Sequence, residues 1–249
     1  MSGHSKWATT KHKKALVDSK RAKIFTKLQK EILVAAKLGD PNPDFNPRLR
    51  NAVIAAKAAS MPKVNIENAI KKATSSTDGD NFEEIRYEGR LGGACFIVEA
   101  LTDNKNRTAS NVRSYFTKAG GVLAETGSVS FMFERLGVIG YEGSKIKEDE
   151  MFELALNCGA SNVESSEDWH EILTEPSDFA SVRDALIEKL GDPDEAKIAW
   201  RPKEKNVIED QEKAEKIQKL IDKLEDDDDV QSVVTNIEIP DEIMEKIGE

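Results

Sequence analysis

Apolar side chains recur at helical spacing through residues 18–75, and lysines occupy another arc of the first predicted helix. The apolar arc of that helix consists of Ile24, Phe25, Leu28, Ile32 and Ala35, and the cationic arc of Lys20, Lys23, Lys27 and Lys30. Gly39 is placed to end this helix, and Asn46 and Pro47 are suited to begin a second one at about 47–60. A third helix is predicted at about 65–74. These segments predict a small helical domain, preceded by a lysine-rich arm at residues 1–17.

Beyond a polar linker at 75–81, strand-like segments alternate with helices. Strands are predicted at 83–89, 94–102 and 128–133, with a helix over 107–121 that Asn106 or Thr108 caps. A cleaner series follows between 137 and 202, in the order β-α-β-β-α-β, with Ser177 as the cap of its second helix. This order is that of a ferredoxin-like unit.

The last helix and strand, at about 209–225 and 230–239, cannot bury a core by themselves. Since the block at 83–133 lacks one helix and one strand, we expect the C-terminal segment to return to it. The predicted fold class is therefore multidomain α+β. A basic arm and three-helix domain spans 1–75, a middle ferredoxin-like α/β domain combines 76–135 with 205–249, and a second ferredoxin-like domain at 136–204 is inserted into the middle one.

Charge is divided unevenly along the chain, although the formal total is −10. Residues 1–75 contain 16 Lys and Arg against 5 Asp and Glu, which gives +11. Residues 76–249 contain 20 against 41, which gives −21. A basic segment on an acidic body is typical of a module that meets a polyanion while the rest of the chain repels it. Nucleic acid is the first candidate partner, and the acidic α/β domains are a candidate surface for a protein partner.

The candidate nucleic-acid-binding residues are cations of the basic segment and of the middle domain, with one histidine and one tryptophan. They are Lys6, Trp7, Lys11, His12, Lys13, Lys14, Lys20, Arg21, Lys23, Lys27, Lys30, Arg48, Arg50, Lys105, Arg107 and Arg113. Such cations neutralise backbone phosphates and release counterions, which gives affinity without reading the base sequence. The lysine pattern does not distinguish DNA from RNA. A solvated helix face is the alternative for the lysine arc. Trp7 is suited either to stack on a base or to anchor the arm on its own domain.

Motifs of common enzyme classes are missing from the sequence, which contains no GxGxxG, GxxxxGK[ST], GxSxG or HExxH. His4 and His12 lie in the arm, and His170 is expected at the surface of a half-exposed strand. The acidic run at 225–229 is expected to be a solvated turn rather than a metal site, because consecutive side chains diverge. We therefore expect a protein that is not an enzyme and uses no metal or cofactor. An active site in a cleft between domains is the alternative.

No apolar run approaches the roughly 20 residues of a membrane-spanning helix. The basic N-terminus is not followed by the apolar segment of a secretory signal. Cys95 and Cys158 are too few for a disulfide framework or a zinc cluster. These features predict a cytoplasmic protein without membrane contact.

Several longer stretches of the sequence resemble one known family. They are GHSKWA (3–8), KRAKIFTK (20–27), AAKLGDPNPDFNPRLR (35–50), YEG (87–89), DNKNRT (103–108), GSVSFMF (127–133) and LIDKLEDDDDVQ (220–231). In this order they are similar to the YebC/PmpR family, which includes the mitochondrial translational activator of cytochrome c oxidase subunit one. The family usually reads YEGYGPGG where this chain has the shorter YEGRLGG.

The resemblance implies a helical N-terminal domain and two α/β domains around a cleft. It also implies a cytoplasmic DNA-binding transcriptional regulator, which is the leading expectation for the function. Other members of the family resemble translation factors that act on the ribosome. Binding to ribosomal RNA is therefore the alternative.

Overall fold

The computed structural model describes residues 17–75 and 82–247, with side chains from residue 22 onward. In chain order the elements are α1 (Val17–Leu38), α2 (Pro47–Ala58), α3 (Lys63–Ser75), β1 (Glu83–Leu91), β2 (Ala94–Thr102), α4 (Lys105–Ala119), β3 (Val122–Ala124), β4 (Phe133–Glu142), α5 (Glu148–Asn157), β5 (Asn162–Ser165), β6 (Trp169–Thr174), α6 (Phe179–Leu190), β7 (Glu195–Pro202), β8 (Asn206–Val207), α7 (Gln211–Glu225), β9 (Val230–Thr235), β10 (Ile237–Glu238) and α8 (Asp241–Ile247). Turns of 3₁₀ helix lie at Ser130–Met132 and Gly143–Lys145. The predicted α+β class is confirmed.

The described chain divides into two compact units. One combines residues 17–75 with 135–199, and the other combines 82–134 with 200–247. The borders of the three predicted domains stay a prediction.

In the first unit, α1, α2 and α3 pack around a core of small and branched apolar side chains. Ile32, Leu49 and Ala56 are fully buried there. Small residues such as Ala56 allow helices to approach closely, so a short domain can still exclude water from its centre. The three helices predicted from the apolar repeat are confirmed.

The buried side chain of Asn46 joins the end of α1 to the start of α2. Its Oδ1 accepts a hydrogen bond from the Leu49 N–H at 3.0 Å and caps α2, with Pro47 in the first position of the helix. Its Nδ2 donates to the carbonyls of Ala35 and Asp40 at 2.8 and 2.9 Å. The cap predicted at Asn46 is confirmed.

The first unit also contains a sheet with the strand order β5-β6-β4-β7. Because α5 and β5 follow β4, and β6 and α6 lead to β7, the chain order is the predicted β-α-β-β-α-β. β6 pairs antiparallel with both β4 and β5. The core between this sheet and its helices contains Ile139, Tyr141, Met151, Ile172 and Leu186, all fully buried.

The sheet of the second unit has the order β3-β1-β2-β9, and neighbouring strands are antiparallel. β9 pairs with β2, with Phe96 opposite Thr235, so the C-terminal part of the chain enters this sheet. α4 and α7 contribute Phe116 and Leu220 to the core. The rings of Phe96 and Phe116 meet edge to face, with their centroids 5.4 Å apart.

The hairpin of β1 and β2 closes through Gly92 and Gly93. Their φ angles are 56° and 91°, in the left-handed region that glycine enters at little cost. Two-residue turns of this kind match the twist of the flanking strands. The shorter sequence YEGRLGG therefore forms a tight hairpin.

The strand predicted at 128–133 is wrong. Residues 130–132 form a 3₁₀ turn, β4 begins only at Phe133, and the third strand of the sheet is β3. The reason is the buried carboxylate of Glu88, which accepts hydrogen bonds from three backbone N–H groups between residues 127 and 130. These bonds hold the segment in a turn.

The predicted N-terminal caps of two helices are also wrong. α4 is capped by Asn104, whose side chain accepts an N–H three residues along at 3.1 Å, and not by Asn106 or Thr108. α6 follows Asp178 rather than Ser177, and no side chain caps its first turn. Each helix thus begins within a residue or two of the predicted position.

Candidate nucleic-acid interface

Lys23, Lys27 and Lys30 lie along one side of α1, at intervals of four and three residues. Each of these side chains is half-buried. α1 is continuous over 22 residues, and its rise of about 1.5 Å per residue fixes the spacing of the cations. The predicted lysine arc therefore lies within a single helix.

Other predicted contacts of the basic domain fall outside the described side chains. Lys6, Trp7, Lys11, His12, Lys13 and Lys14 lie outside the described residues. Lys20 and Arg21 belong to α1, but only their backbone is described. Their part in binding stays a prediction.

Arg48 joins α1 to α2 through an ion pair with Glu31. Its Nε and Nη2 donate to the two carboxylate oxygens at 2.7 and 3.0 Å. Both donors of the pair meet an oxygen, and this geometry fixes the plane of the guanidinium group. Arg48 thus supports the packing of the helical domain.

Arg50 is engaged by three acceptors within the first unit. It donates to the carbonyls of Pro43 and Asp44 at 3.2 and 2.7 Å, and to the carboxylate of Asp184 in α6 at 3.0 Å. The first two bonds fix the loop between α1 and α2. Sequence reasoning grouped Arg50 with the phosphate-binding cations, and the structure gives it partners within the protein.

The three cations predicted near the start of α4 have different surroundings. Arg107 donates through Nη2 to Asp229 and to Asp103, both at 2.8 Å, and these bonds raise the pKa of the guanidinium group. Lys105 lies 3.7 Å from a carboxylate of β1 and its side chain is 62% exposed. Arg113 is exposed. Arg107 and Lys105 therefore each pair with acidic residues of the protein itself, and Arg113 is exposed.

The acidic run after α7 is partly buried, so the expected solvated turn is wrong for two of its members. Asp229 accepts from Thr108 Oγ1 at 2.8 Å and Thr102 Oγ1 at 3.2 Å, and Asp227 accepts from the Tyr115 hydroxyl at 3.0 Å. Burial, the hydrogen bond to Asp227 and its charge raise the pKa of Tyr115 to about 12. These hydrogen bonds connect the turn between α7 and β9 to α4.

Glu88 in β1 is the buried acceptor that shapes the neighbouring turn, and it is only 1% exposed. Its Oε1 accepts from Gly127 N–H at 2.8 Å, and its Oε2 accepts from Val129 and Ser130 N–H at 2.8 and 3.0 Å. Burial alone would raise the pKa of this carboxyl, but the N–H donors and the nearby Arg86 outweigh burial and lower it. Glu88 is therefore a buried anion held by backbone dipoles.

Gly89, the next residue of β1, lies against the ring of Phe116 in α4. A Cβ atom at Gly89 would stand 2.4 Å from ring atoms, which is closer than packed atoms approach. The YEG stretch thus combines a buried acceptor with a close approach of β1 to α4. Both features serve the packing of the second unit.

His170 is buried, with 1% exposure, so the expectation of a surface histidine is wrong. Its Nδ1 lies 2.8 Å from Ser165 Oγ and its Nε2 lies 2.8 Å from the Ile146 carbonyl. Both ring nitrogens therefore have partners within the fold. His170 connects β6 to β5 and to the segment before α5.

Arg183 ties α6 to the helical domain within the first unit. Its guanidinium group is buried and donates to the side chains of Asn51 in α2 and Asp184 in α6. A cavity of about 440 Å³ lies beside this contact. The cations on its rim, Arg50 and Lys57, are ion-paired with acidic residues of the same unit, so the cavity does not extend the lysine arc.

Within residues 17–75 and 82–247, no group of three or more His, Cys, Asp or Glu side chains is placed to hold a metal ion. Over the same ranges, none of the helices has the length and apolar character needed to cross a membrane. Cys95 and Cys158 are free thiols.

Two family models match the chain. Residues 5–76 match the TACO1/YebC protein N-terminal domain, and residues 82–237 match the TACO1/YebC second and third domain. The chain is also similar to a solved structure, that of the conserved hypothetical protein Aq1575 from Aquifex aeolicus, with 47% identity and a TM-score of 0.81. The match covers 90% of this chain and 93% of that chain. The similarity therefore extends over most of both proteins in sequence and in fold.

Proposed function

Because the chain belongs to the TACO1/YebC family, we propose that it is a non-enzymatic regulator of gene expression that binds nucleic acid through its basic N-terminal domain. The observation that carries this proposal is the charge division between residues 1–75, at +11, and residues 76–249, at −21. A polyanion is attracted to the first segment and repelled by the second. The basic segment is thereby expected to supply most of the electrostatic attraction.

The lysine arc of α1 supports the proposal because a helix holds its cations at fixed intervals. Lys23, Lys27 and Lys30 follow one another along the same side of α1. Each phosphate that such a cation neutralises releases condensed counterions, and this release supplies affinity. The arm before α1 adds further lysines in the sequence, so arm and helix together form the proposed binding segment.

DNA is the leading partner, which makes the protein a transcriptional regulator. The contacts proposed so far go to phosphates, and phosphate contacts position a protein without reading bases. A translation factor on ribosomal RNA is the second candidate, because the same cations would serve it. The exposed aromatic side chain of Phe131 favours this second candidate and is considered below.

The proposal is tested by removing charge from the lysine arc. We expect the variant with Lys20, Lys23, Lys27 and Lys30 all changed to Gln to bind a DNA duplex and a ribosomal RNA fragment at least about tenfold more weakly than the wild type. Glutamine is a good helix former, so α1 is retained. Affinity is measured by fluorescence anisotropy at one fixed salt concentration.

The chain offers a matched control on α7. Changing Lys213, Lys216, Lys219 and Lys223 to Gln removes the same charge from exposed positions of another helix. Two of these lysines pair with acids of α7, so we expect this variant to keep wild-type affinity within about twofold. Equal affinities for the arc variant and the control variant would contradict the proposal. Crosslinking in cells, followed by recovery of bound DNA and RNA, decides between the two candidate polymers.

A further inference from the structure

Phe131 is a large aromatic side chain presented to solvent on the 3₁₀ turn before β4. It is 66% exposed, whereas Val129 and Phe133, which flank the turn, are 0% and 3% exposed. The turn thus anchors two apolar side chains in the core and directs a third outward. A single exposed apolar residue is common on protein surfaces, so its surroundings must decide its meaning.

The backbone that carries Phe131 is fixed on both sides. Before it, three N–H groups between residues 127 and 130 donate to the buried Glu88 carboxylate. After it, the carbonyl of Met132 accepts from the Lys203 N–H at 3.0 Å, and the Met132 N–H donates to the Val129 carbonyl at 3.0 Å. The backbone beneath the ring is therefore already ordered, so a ligand that covers the ring pays little entropy for ordering the turn.

Two exposed cations border this turn. Arg90 donates through Nη2 to the Ser128 carbonyl at 2.6 Å, and Lys203 is the residue whose backbone bonds to Met132. Within the part of the chain that the structure describes, neither side chain forms an ion pair. Glu134, the residue after Phe133, is also exposed, so the local charge is mixed. The aromatic ring, more than net charge, distinguishes this surface.

We propose that Phe131 is a stacking platform for an unpaired base of single-stranded nucleic acid, with Arg90 and Lys203 contacting the flanking phosphates. Bases of a single strand stack on aromatic side chains irrespective of sequence, because each base has a π-face. Bases within a duplex are already stacked and cannot reach such a ring. This inference rests on the proposed function and adds the form of the polymer that the second unit contacts.

The test compares binding of a fluorescently labelled uridine 20-mer and of an RNA duplex of about the same length. Alanine substitution of a stacking aromatic residue weakens single-strand binding, and we expect Phe131→Ala to raise the Kd for the single strand about five- to a hundredfold. The Kd for the duplex should stay within about twofold. Phe131→Trp keeps an aromatic face and should bind the single strand like the wild type.

Phe152 in α5 is a matched control, because it is also an exposed phenylalanine, at 48%, but belongs to a helix whose first turn is acidic. Phe152→Ala should leave both Kd values unchanged within about twofold. An unchanged single-strand Kd for Phe131→Ala, or equal losses for both polymers, would overturn the stacking role while leaving the lysine arc unaffected. If the wild type binds the duplex but not the single strand, this inference fails and the proposed function stands. If it binds neither of these polymers nor a DNA duplex, the proposed function fails as well.

Discussion

The Glu88 carboxylate shows how a single buried side chain determines the shape of a segment far from it in sequence. A buried anion is stable only when donors replace the water that it has lost. Here the donors are backbone N–H groups at Gly127, Val129 and Ser130, 39 to 42 residues away along the chain. The carboxylate satisfies amides that a strand would otherwise pair, and Phe131 is presented by the turn that results.

Replacing this carboxylate should destabilise the protein. Glu88→Gln keeps the shape of the side chain but loses the charge, and its amide N–H₂ group faces backbone donors. We expect the free energy of unfolding at about pH 7 to fall by about 2–3 kcal/mol, as for the loss of charge-assisted hydrogen bonds. Urea denaturation measures this change. Glu134→Gln, an exposed neighbour, should change stability by less than about 0.5 kcal/mol.

The stability difference between the wild type and Glu88→Gln should also depend on pH. The pKa of Glu88 is lowered in the folded state, so its contribution is fully present above the unfolded-state pKa of about 4.3 and is lost as the pH falls towards the folded-state value. The difference in unfolding free energy between the wild type and Glu88→Gln should therefore stay constant from about pH 7 to about pH 5 and shrink as the pH falls from about 5 towards 3. A difference that stays constant over this interval would show that the charge of Glu88 is not what holds the turn.

Individual residues were predictable from the sequence where their partners are close along the chain. Asn46 caps a helix that begins at the next residue, and the Asn-Pro dipeptide indicates this cap in the sequence. Asp229 was not predictable, because its partner Thr108 is 121 residues away and a run of acids is usually solvated. His170 is a similar case, since burial inside a sheet depends on which elements cover it.

Helices with a clear apolar repeat were predictable, whereas the short strand β3 was not. α7 follows its predicted span closely because Ile217, Leu220 and Leu224 recur on one side. β3 contains only three residues, too few for an alternation of apolar and polar side chains to be recognised. The sequence predicted a strand at 128–133 in its place, and Glu88 holds that segment in a turn. The hydrogen-bond partner, rather than local propensity, decided the structure there.

We expect the contact between α2 and α6 to depend on the buried Arg183 more than on the exposed ion pairs around it. Arg183→Met leaves the Asn51 side-chain oxygen without this donor and leaves Asp184 with the bond from Arg50, and we expect the free energy of unfolding to fall by about 3 kcal/mol. Hydrogen exchange of the α2 amides should become faster. Denaturation and exchange mass spectrometry measure the two effects.

Lys57→Met is the matched control for Arg183→Met. Its ion pair with Asp192 is 3.1 Å long, but the two side chains are 58% and 53% exposed, and such pairs contribute about 0–1 kcal/mol. We expect exchange in α2 to stay close to that of the wild type. If both substitutions have the same small effect, Arg183 does not hold α2 against α6.

Taken as a whole, the molecule combines a basic helical segment with α/β parts of opposite charge. The charge division and the α+β class could be read from the sequence, because both are sums over many residues and tolerate local errors. Which cations remain available to a ligand could not be read from it. Arg48, Arg50 and Arg107 each have a carboxylate partner, two of them contributed by distant parts of the chain. Tertiary contacts thus give these three arginines a part in the fold that their sequence positions do not indicate.

The salt dependence of binding tests the central claim most directly, because it counts the phosphates that the protein neutralises. We predict that log K falls linearly with log salt concentration on a DNA duplex, and that changing Lys20, Lys23, Lys27 and Lys30 to Gln makes the slope shallower by about 2–4 units. The variant with four glutamines on α7 should retain the wild-type slope. If the wild type and the arc variant have the same slope, the basic end of the chain does not bind the polymer through its phosphates.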